Sequence, residues 1–168
     1  MIILRLLKTF TMNQKRNLRL FIFRYHLIPV TSEDRQHSLF GEKMNLEEIK
    51  KRKNDFFKEA ILELDDIEGK YHIQIYDHEK DSFLLRIAQK KSQTVTKNFK
   101  REYITNEPYC YVIINNDKGV QKIAISENPN AFSNPDVVKN ILGNILQKLL
   151  LRYQLNIEIE QLFDVGTF

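Results

Sequence analysis

The sequence predicts an α+β fold: an antiparallel (mixed) sheet of about six strands with two amphipathic helices packed on one face, in the order β-α-ββ-ββ-α-β. Three observations lead there. Short stretches with apolar residues at every second position recur along the chain. Two longer stretches carry apolar residues at helical spacing behind recognisable N-caps. The repeating strand-helix alternation of a parallel βαβ protein is absent. With 168 residues, 42% hydrophobic and 29% charged, the chain is long enough to bury a core and has ordinary globular composition. One domain is expected over residues 18–164, preceded by a basic arm at 1–17 and followed by a tail at 165–168.

Leu18 to Val30 is rich in β-branched and aromatic residues, with Arg19, Phe21, Phe23, Tyr25 and Leu27 on one parity. It reads as the first strand, ended by Pro29. Residues 31–44 show neither period and read as a loop. Asn45, with Glu48 three positions on, resembles a capping box in which each side chain satisfies a backbone N–H. The helix behind it places Leu46, Ile49, Phe56, Phe57, Ala60, Ile61 and Leu64 on one stripe, with Glu47/Lys51 and Glu48/Arg52 as exposed pairs.

Tyr71, Ile73 and Ile75 alternate with polar residues, as do Phe83, Leu85 and Ile87. A three-residue connection His78-Glu79-Lys80 would pair Ile75 with Phe83, Ile73 with Leu85 and Tyr71 with Ile87. Gln89 to Asn98 has no apolar period and reads as a loop or frayed strand end. Tyr109 to Ile114 is apolar on both parities, as a central strand covered on two sides would be. Asn116-Asp-Lys-Gly119 reads as a type I turn with glycine at the left-handed position, returning into Val120 to Ser126. Asn134-Pro135-Asp136 opens the second helix, where Val138, Ile141, Leu142, Ile145, Leu149 and Tyr153 form a stripe. Gly143 within it suggests close packing. Leu155, Ile157 and Ile159 then alternate as a half-exposed last strand. Residues 1–11 read as an over-extended start ahead of Met12, and the end just after a strand reads as the front part of a longer protein or assembly.

The chemistry-bearing patterns are sparse. The single cysteine, Cys110, excludes an internal disulfide and a Cys-rich zinc site and favours a reducing, cytoplasmic setting. It reads as a buried thiol rather than a nucleophile. No glycine-rich phosphate loop is present, and His26, His37, His72 and His78 lack metal-ligand spacing on a helix. No cofactor and no metal are expected. Met1 to Lys8 is apolar but far shorter than the ~20 residues that span a bilayer, so no membrane association is expected. Asp77, Glu79, Lys80 and Asp81 have the residue types of a metal nuclease, yet they crowd into a turn where such residues are common.

The charge of +4 is unevenly placed. Residues 1–30 hold cations and no acid, and residues 88–101 form a second acid-free basic stretch. Lys15, Arg16, Arg19, Lys90, Lys91, Lys97, Lys100 and Arg101 are therefore candidate phosphate contacts, with Phe10, Tyr25, Phe99 and Tyr103 as aromatics for stacking on bases. A solvated basic edge is the plainer alternative. Leu146, Leu150 and Leu151 widen the second helix's apolar stripe and are candidate interface residues for a protein partner or a second copy.

The run Tyr111-Val-Ile-Ile-Asn115, then Lys122-Ile-Ala-Ile-Ser-Glu127, Ala131-Phe132 and Ile157-Glu-Ile-Glu160 resembles bacterial proteins found among phage-defence genes, over roughly residues 108–164. The resemblance implies a setting, defence with a protein or nucleic-acid partner, and carries over no catalytic residue. A bias toward lysine, isoleucine and asparagine fits an A/T-rich bacterial or phage genome. The expected function is a non-catalytic interaction or sensor domain acting through protein association. A nucleic-acid-binding module using segments 15–24 and 90–101 comes second, and a metal-dependent nuclease last.

Overall fold

A computed structural model describes residues 18–30, 45–67 and 69–162. The basic arm with Phe10, Lys15 and Arg16, the loop at 31–44 with His37, and the tail lie outside the described residues. In chain order the elements are β1 (Leu20–Pro29), α1 (Leu46–Leu62), β2 (Tyr71–Glu79), β3 (Ser82–Gln89), β4 (Lys91–Lys97), β5 (Lys100–Asn106), β6 (Tyr109–Asn115), β7 (Lys122–Ser126), α2 (Pro135–Leu150) and β8 (Leu155–Gln161). Six strands form one sheet in the spatial order β2-β3-β6-β7-β1-β8, and β4 and β5 form a separate two-stranded sheet. Every strand pair is antiparallel.

Parity places the core. Phe23, Tyr25 and Leu27 of β1, Phe83, Leu85 and Ile87 of β3, Val112 and Ile114 of β6, and Ile123 and Ile125 of β7 are all buried on one face. Ile49, Phe57 and Ile61 of α1 and Val138, Leu142, Leu146 and Leu150 of α2 pack on that layer, so both helices cover the same side of the sheet. Each large side chain so buried contributes roughly 1.5–3 kcal/mol. The helix starts follow the caps. Asn134 Oδ1 accepts from Val137 N at 3.0 Å, with Pro135 in the first turn, and Asn45 Oδ1 accepts from Glu47 N at 3.0 Å.

A polar knot crosses this layer. Tyr25 donates its hydroxyl to Asn116 Oδ1 at 2.9 Å, and Asn54 Nδ2 donates to the Asn116 carbonyl at 2.9 Å. Asn116 Nδ2 answers to the Asn54 carbonyl at 2.8 Å. Buried polar groups are costly unless paired, so these bonds fix α1, β1 and the loop after β6 in one relative position. Burial, and secondarily the charge of Asp81, pushes the Tyr25 hydroxyl well above its ordinary pKa.

Several local expectations are corrected. The β2–β3 register is two residues from the expected one: Ile75 faces Leu85, Ile73 faces Ile87 and Tyr71 faces Gln89. Two features cause this. The connection is the pair Lys80-Asp81 with Lys80 at φ 54, and the register shifts between Ile75 and Asp77, leaving Tyr76 as an inserted bulge residue. His78 is accordingly in the strand, facing Phe83. After β6 the left-handed residue is Gln121 at φ 44, not Gly119. Val120 N and Gln121 N both bond the Asp117 carbonyl, so β7 begins only at Lys122. Of the capping box only the Asn45 half is seen, because Glu48 turns to Arg52 at 3.3 Å, while Glu47 pairs with Lys50 rather than Lys51. Leu46 is exposed, since the first turn of α1 extends past the core. A methyl at Gly143 would meet Ile159 Cδ1 at 3.4 Å, ordinary contact, so tight packing is not what keeps glycine there.

Candidate nucleic-acid interface

The largest departure from the sequence reading begins at 89–98, expected as a loop or frayed strand end, where Lys91–Lys97 instead pairs with Lys100–Asn106 in a β-ribbon. Lys91 faces Asn106, Thr94 faces Tyr103 and Lys97 faces Lys100, while in the main sheet Ala88 faces Tyr109 and Ser82 faces Asn115. These pairs share one register. The ribbon is thus the strand pair β3–β6 carried on beyond the sheet, interrupted only around Lys90 and Glu107-Pro108. Pro108, at the position facing Gln89, has no N–H for the ladder, which accounts for the break.

No residue of β5 is buried, so the ribbon stands in solvent rather than against the core. Its tip is a two-residue turn with Asn98 at φ 51 and Phe99 at φ 62, the backbone of a type I′ turn. Phe99 is fully exposed at 103% and Tyr103 nearly so at 81%. Lys97 and Lys100 face each other directly beneath the tip. Lys90, Lys91, Lys97, Lys100 and Arg101 stand against one acid, Glu102, between residues 90 and 106. Alternation puts Arg101 and Tyr103 on one face with Thr94 and Thr96, and Lys97 and Lys100 on the other with Val95 and Ile104.

At the ribbon's root, Lys91 Nζ bonds the Asn130 carbonyl at 2.6 Å, so this lysine braces the ribbon against the loop before α2. An open cleft of about 690 Å³ lies beside it, lined by Asp65, Ile67, Gly69, Tyr71, His72, Lys90 and Glu107. Within it His72 Nδ1 lies 3.3 Å from Glu107 Oε2, while Asp65 Oδ1 accepts from Ile75 N at 3.0 Å and so braces β2. These carboxylates are occupied with positioning. Among the described residues no cluster of His, Cys, Asp and Glu is placed to hold a metal ion.

The sheet face away from the helices carries a second feature. Leu84 and Ile113 form a small buried cluster there, flanked by Tyr111 and Ala124. Next to it the Arg86 guanidinium carbon lies 3.8 Å from the ring centre of Tyr76, 5.1 Å from Tyr109 and 5.6 Å from Tyr111. The hydroxyls of Tyr109 and Tyr111 are 3.5 Å apart. Burial, then the neighbouring Tyr109, holds the Tyr111 hydroxyl above its usual range.

The basic candidates are therefore partly gathered. Lys97, Lys100 and Arg101 cluster near the ribbon tip, Lys90 and Lys91 at its root. Arg19 sits at the same end of the sheet, 3.7 Å from Glu127. Of the stacking candidates, Phe99 and Tyr103 are presented to solvent, whereas Tyr25 is fully buried in the knot and cannot stack on a ligand. The surplus-surface reading of α2 is corrected: Leu146 and Leu150 are fully buried in the chain's own core, and only Leu151 is exposed. Sequence reasoning missed Arg86 with Tyr76, Tyr109 and Tyr111. The signal was an arginine inside the otherwise apolar run Phe83-Leu-Leu-Arg-Ile-Ala88.

Around the nuclease candidates, Lys58 Nζ bonds the Lys80 carbonyl at 2.9 Å and lies 3.9 Å from Asp81. No helix among the described residues is long and apolar enough to cross a membrane. In comparisons with known proteins, no family model and no curated sequence matches this chain.

Proposed function

We propose that this chain is a nucleic-acid-binding module that grips its ligand with the ribbon β4–β5. One observation carries the reading: a fully exposed phenylalanine, held at φ 62 between two facing lysines, at the end of a ribbon projected from the core strands. Each of these choices is unfavourable in the free protein. A bulky residue at positive φ costs of order 1–3 kcal/mol, and like charges directly opposite on a ribbon are destabilising. A phosphate between the ammonium groups relieves their repulsion, and a base stacked on the exposed ring supplies binding energy that offsets the backbone strain.

Lys97, Lys100 and Arg101 contact phosphates in this reading, Lys90 meets the backbone at the root, and Phe99 and Tyr103 stack. The ribbon grips without a catalytic step. Binding through Leu146 and Leu150 drops out, because the core already occupies them, and the ribbon offers charge where a protein-docking face would offer apolar area. The setting proposed with it is cytoplasmic bacterial defence, on the resemblance at 108–164.

Fluorescence anisotropy of a labelled oligonucleotide against salt tests the proposal. With four cations on phosphates, log K should fall against log salt with a slope of about −3 on a single strand. No retention of either DNA or RNA at 50 mM salt would overturn it.

A further inference from the structure

We infer that the sheet face around Arg86 is a second subsite, for an unpaired nucleotide, and that the ligand of the ribbon is therefore single-stranded. The inference rests on the nucleic-acid reading above and adds the ligand's strand state. Arg86 lies on β3, stacked on Tyr76 with Tyr109 and Tyr111 beside it and hydrogen-bonded to Tyr111. Its Nε is inaccessible and unbonded, while the side chain as a whole is only half-buried. Stacking on aromatic rings offsets part of the desolvation, and the guanidinium donors that Tyr111 does not engage form a planar edge shaped for a phosphate.

The common register links this place to the ribbon. On the strand β5–β6 the positions Arg101, Tyr103, Thr105, Glu107, Tyr109 and Tyr111 share one parity, and Arg86 and Lys90 share that face on the partner strand. Cations and rings therefore follow one another from the ribbon tip to the sheet, with Glu107, the acid in the row, held by His72 at 3.3 Å. Tyr109 is 39% exposed and Tyr76 46%, so both rings can be reached. In a duplex the base faces are stacked on each other, and only an unpaired strand offers them to tyrosines along such a row.

The chain has seven tyrosines and no tryptophan, so tyrosine emission of the full-length protein reports base stacking directly. The probes are a twelve-nucleotide oligo(dT) and a twelve-pair duplex, compared at 50 mM salt. The single strand is expected to quench tyrosine emission and to bind more tightly than the duplex. Tyr109→Leu should weaken it about 5- to 150-fold while Tyr109→Phe does not. Arg86→Gln should abolish the preference for the single strand, and Tyr103→Leu, at a site where folding is not at stake, should reduce the quenching. Equal affinity for strand and duplex would overturn this inference and leave the ribbon reading standing. So would a single-strand preference unchanged in folded Arg86→Gln and Tyr109→Leu proteins. Absence of binding to both probes would overturn the two together.

Discussion

The thiol of Cys110 lies on the helix side of β6, 2% exposed, and burial pushes its pKa up from 9.0 to about 11, with an Asn128 backbone hydrogen bond pulling slightly the other way. The neutral thiol is favoured in the folded chain. This contribution to stability is therefore full below about pH 9 and is lost as pH rises from about 9 toward 11, where only the unfolded thiol ionises readily. Iodoacetamide at pH 8 should leave Cys110 unmodified in the native protein and label it on addition of denaturant. Rapid native labelling would restore the nucleophile that the sequence reading set aside. At this scale the sequence was informative where chemistry is local: the Asn134 cap needs only its own backbone, and the parity of Phe23, Tyr25 and Leu27 needs only the pleat. Arg86 could not be placed from its neighbours in sequence, because Tyr76, Tyr109 and Tyr111 reach it from adjacent strands.

Among the elements, the ribbon is where propensity reasoning failed, and the reason is physical. A ribbon bathed in solvent on both faces has no dry side, so Lys91 to Asn106 shows no apolar alternation to read. Its order comes from the pairing inherited from β3 and β6 and from the Asn98-Phe99 turn. The β2–β3 register failed differently: period-2 alternation fixes which face a residue takes but not its partner. A bulge at Tyr76 with a two-residue turn satisfies the same parity as the expected three-residue loop. Phe99 separates folding from binding. Phe99→Gly creates Asn-Gly, the favoured type I′ sequence, so amide protection in β4 and β5 should hold or rise. Oligonucleotide affinity should nonetheless fall by about 1–3 kcal/mol, the worth of one stacked base. Protection that falls while affinity holds would mean that Phe99 serves the turn.

Across the whole molecule, the layer predicted from alternating residues is present: Phe83, Leu85 and Ile123 face the helices, and Asn45 and Asn134 open the two segments that roof it. The fold was legible because burial imposes the periods of strand and helix. The candidate site was half legible, since basic composition marks a segment without showing that it forms an arm. The two parts also differ in what holds them: dispersed apolar burial for the sheet and helices, ladder hydrogen bonds and the Lys91 brace for the ribbon. The unbroken register makes them separable. Replacing residues 91–106 by Asn-Gly, between the facing Lys90 and Glu107, should leave the sheet folded with its melting transition nearly unmoved. Anisotropy of a labelled single strand with this shortened protein is the direct measurement. A loss of affinity of about tenfold or more and a shallower salt slope are expected. Unchanged affinity and slope in a folded, shortened protein would contradict binding through the ribbon.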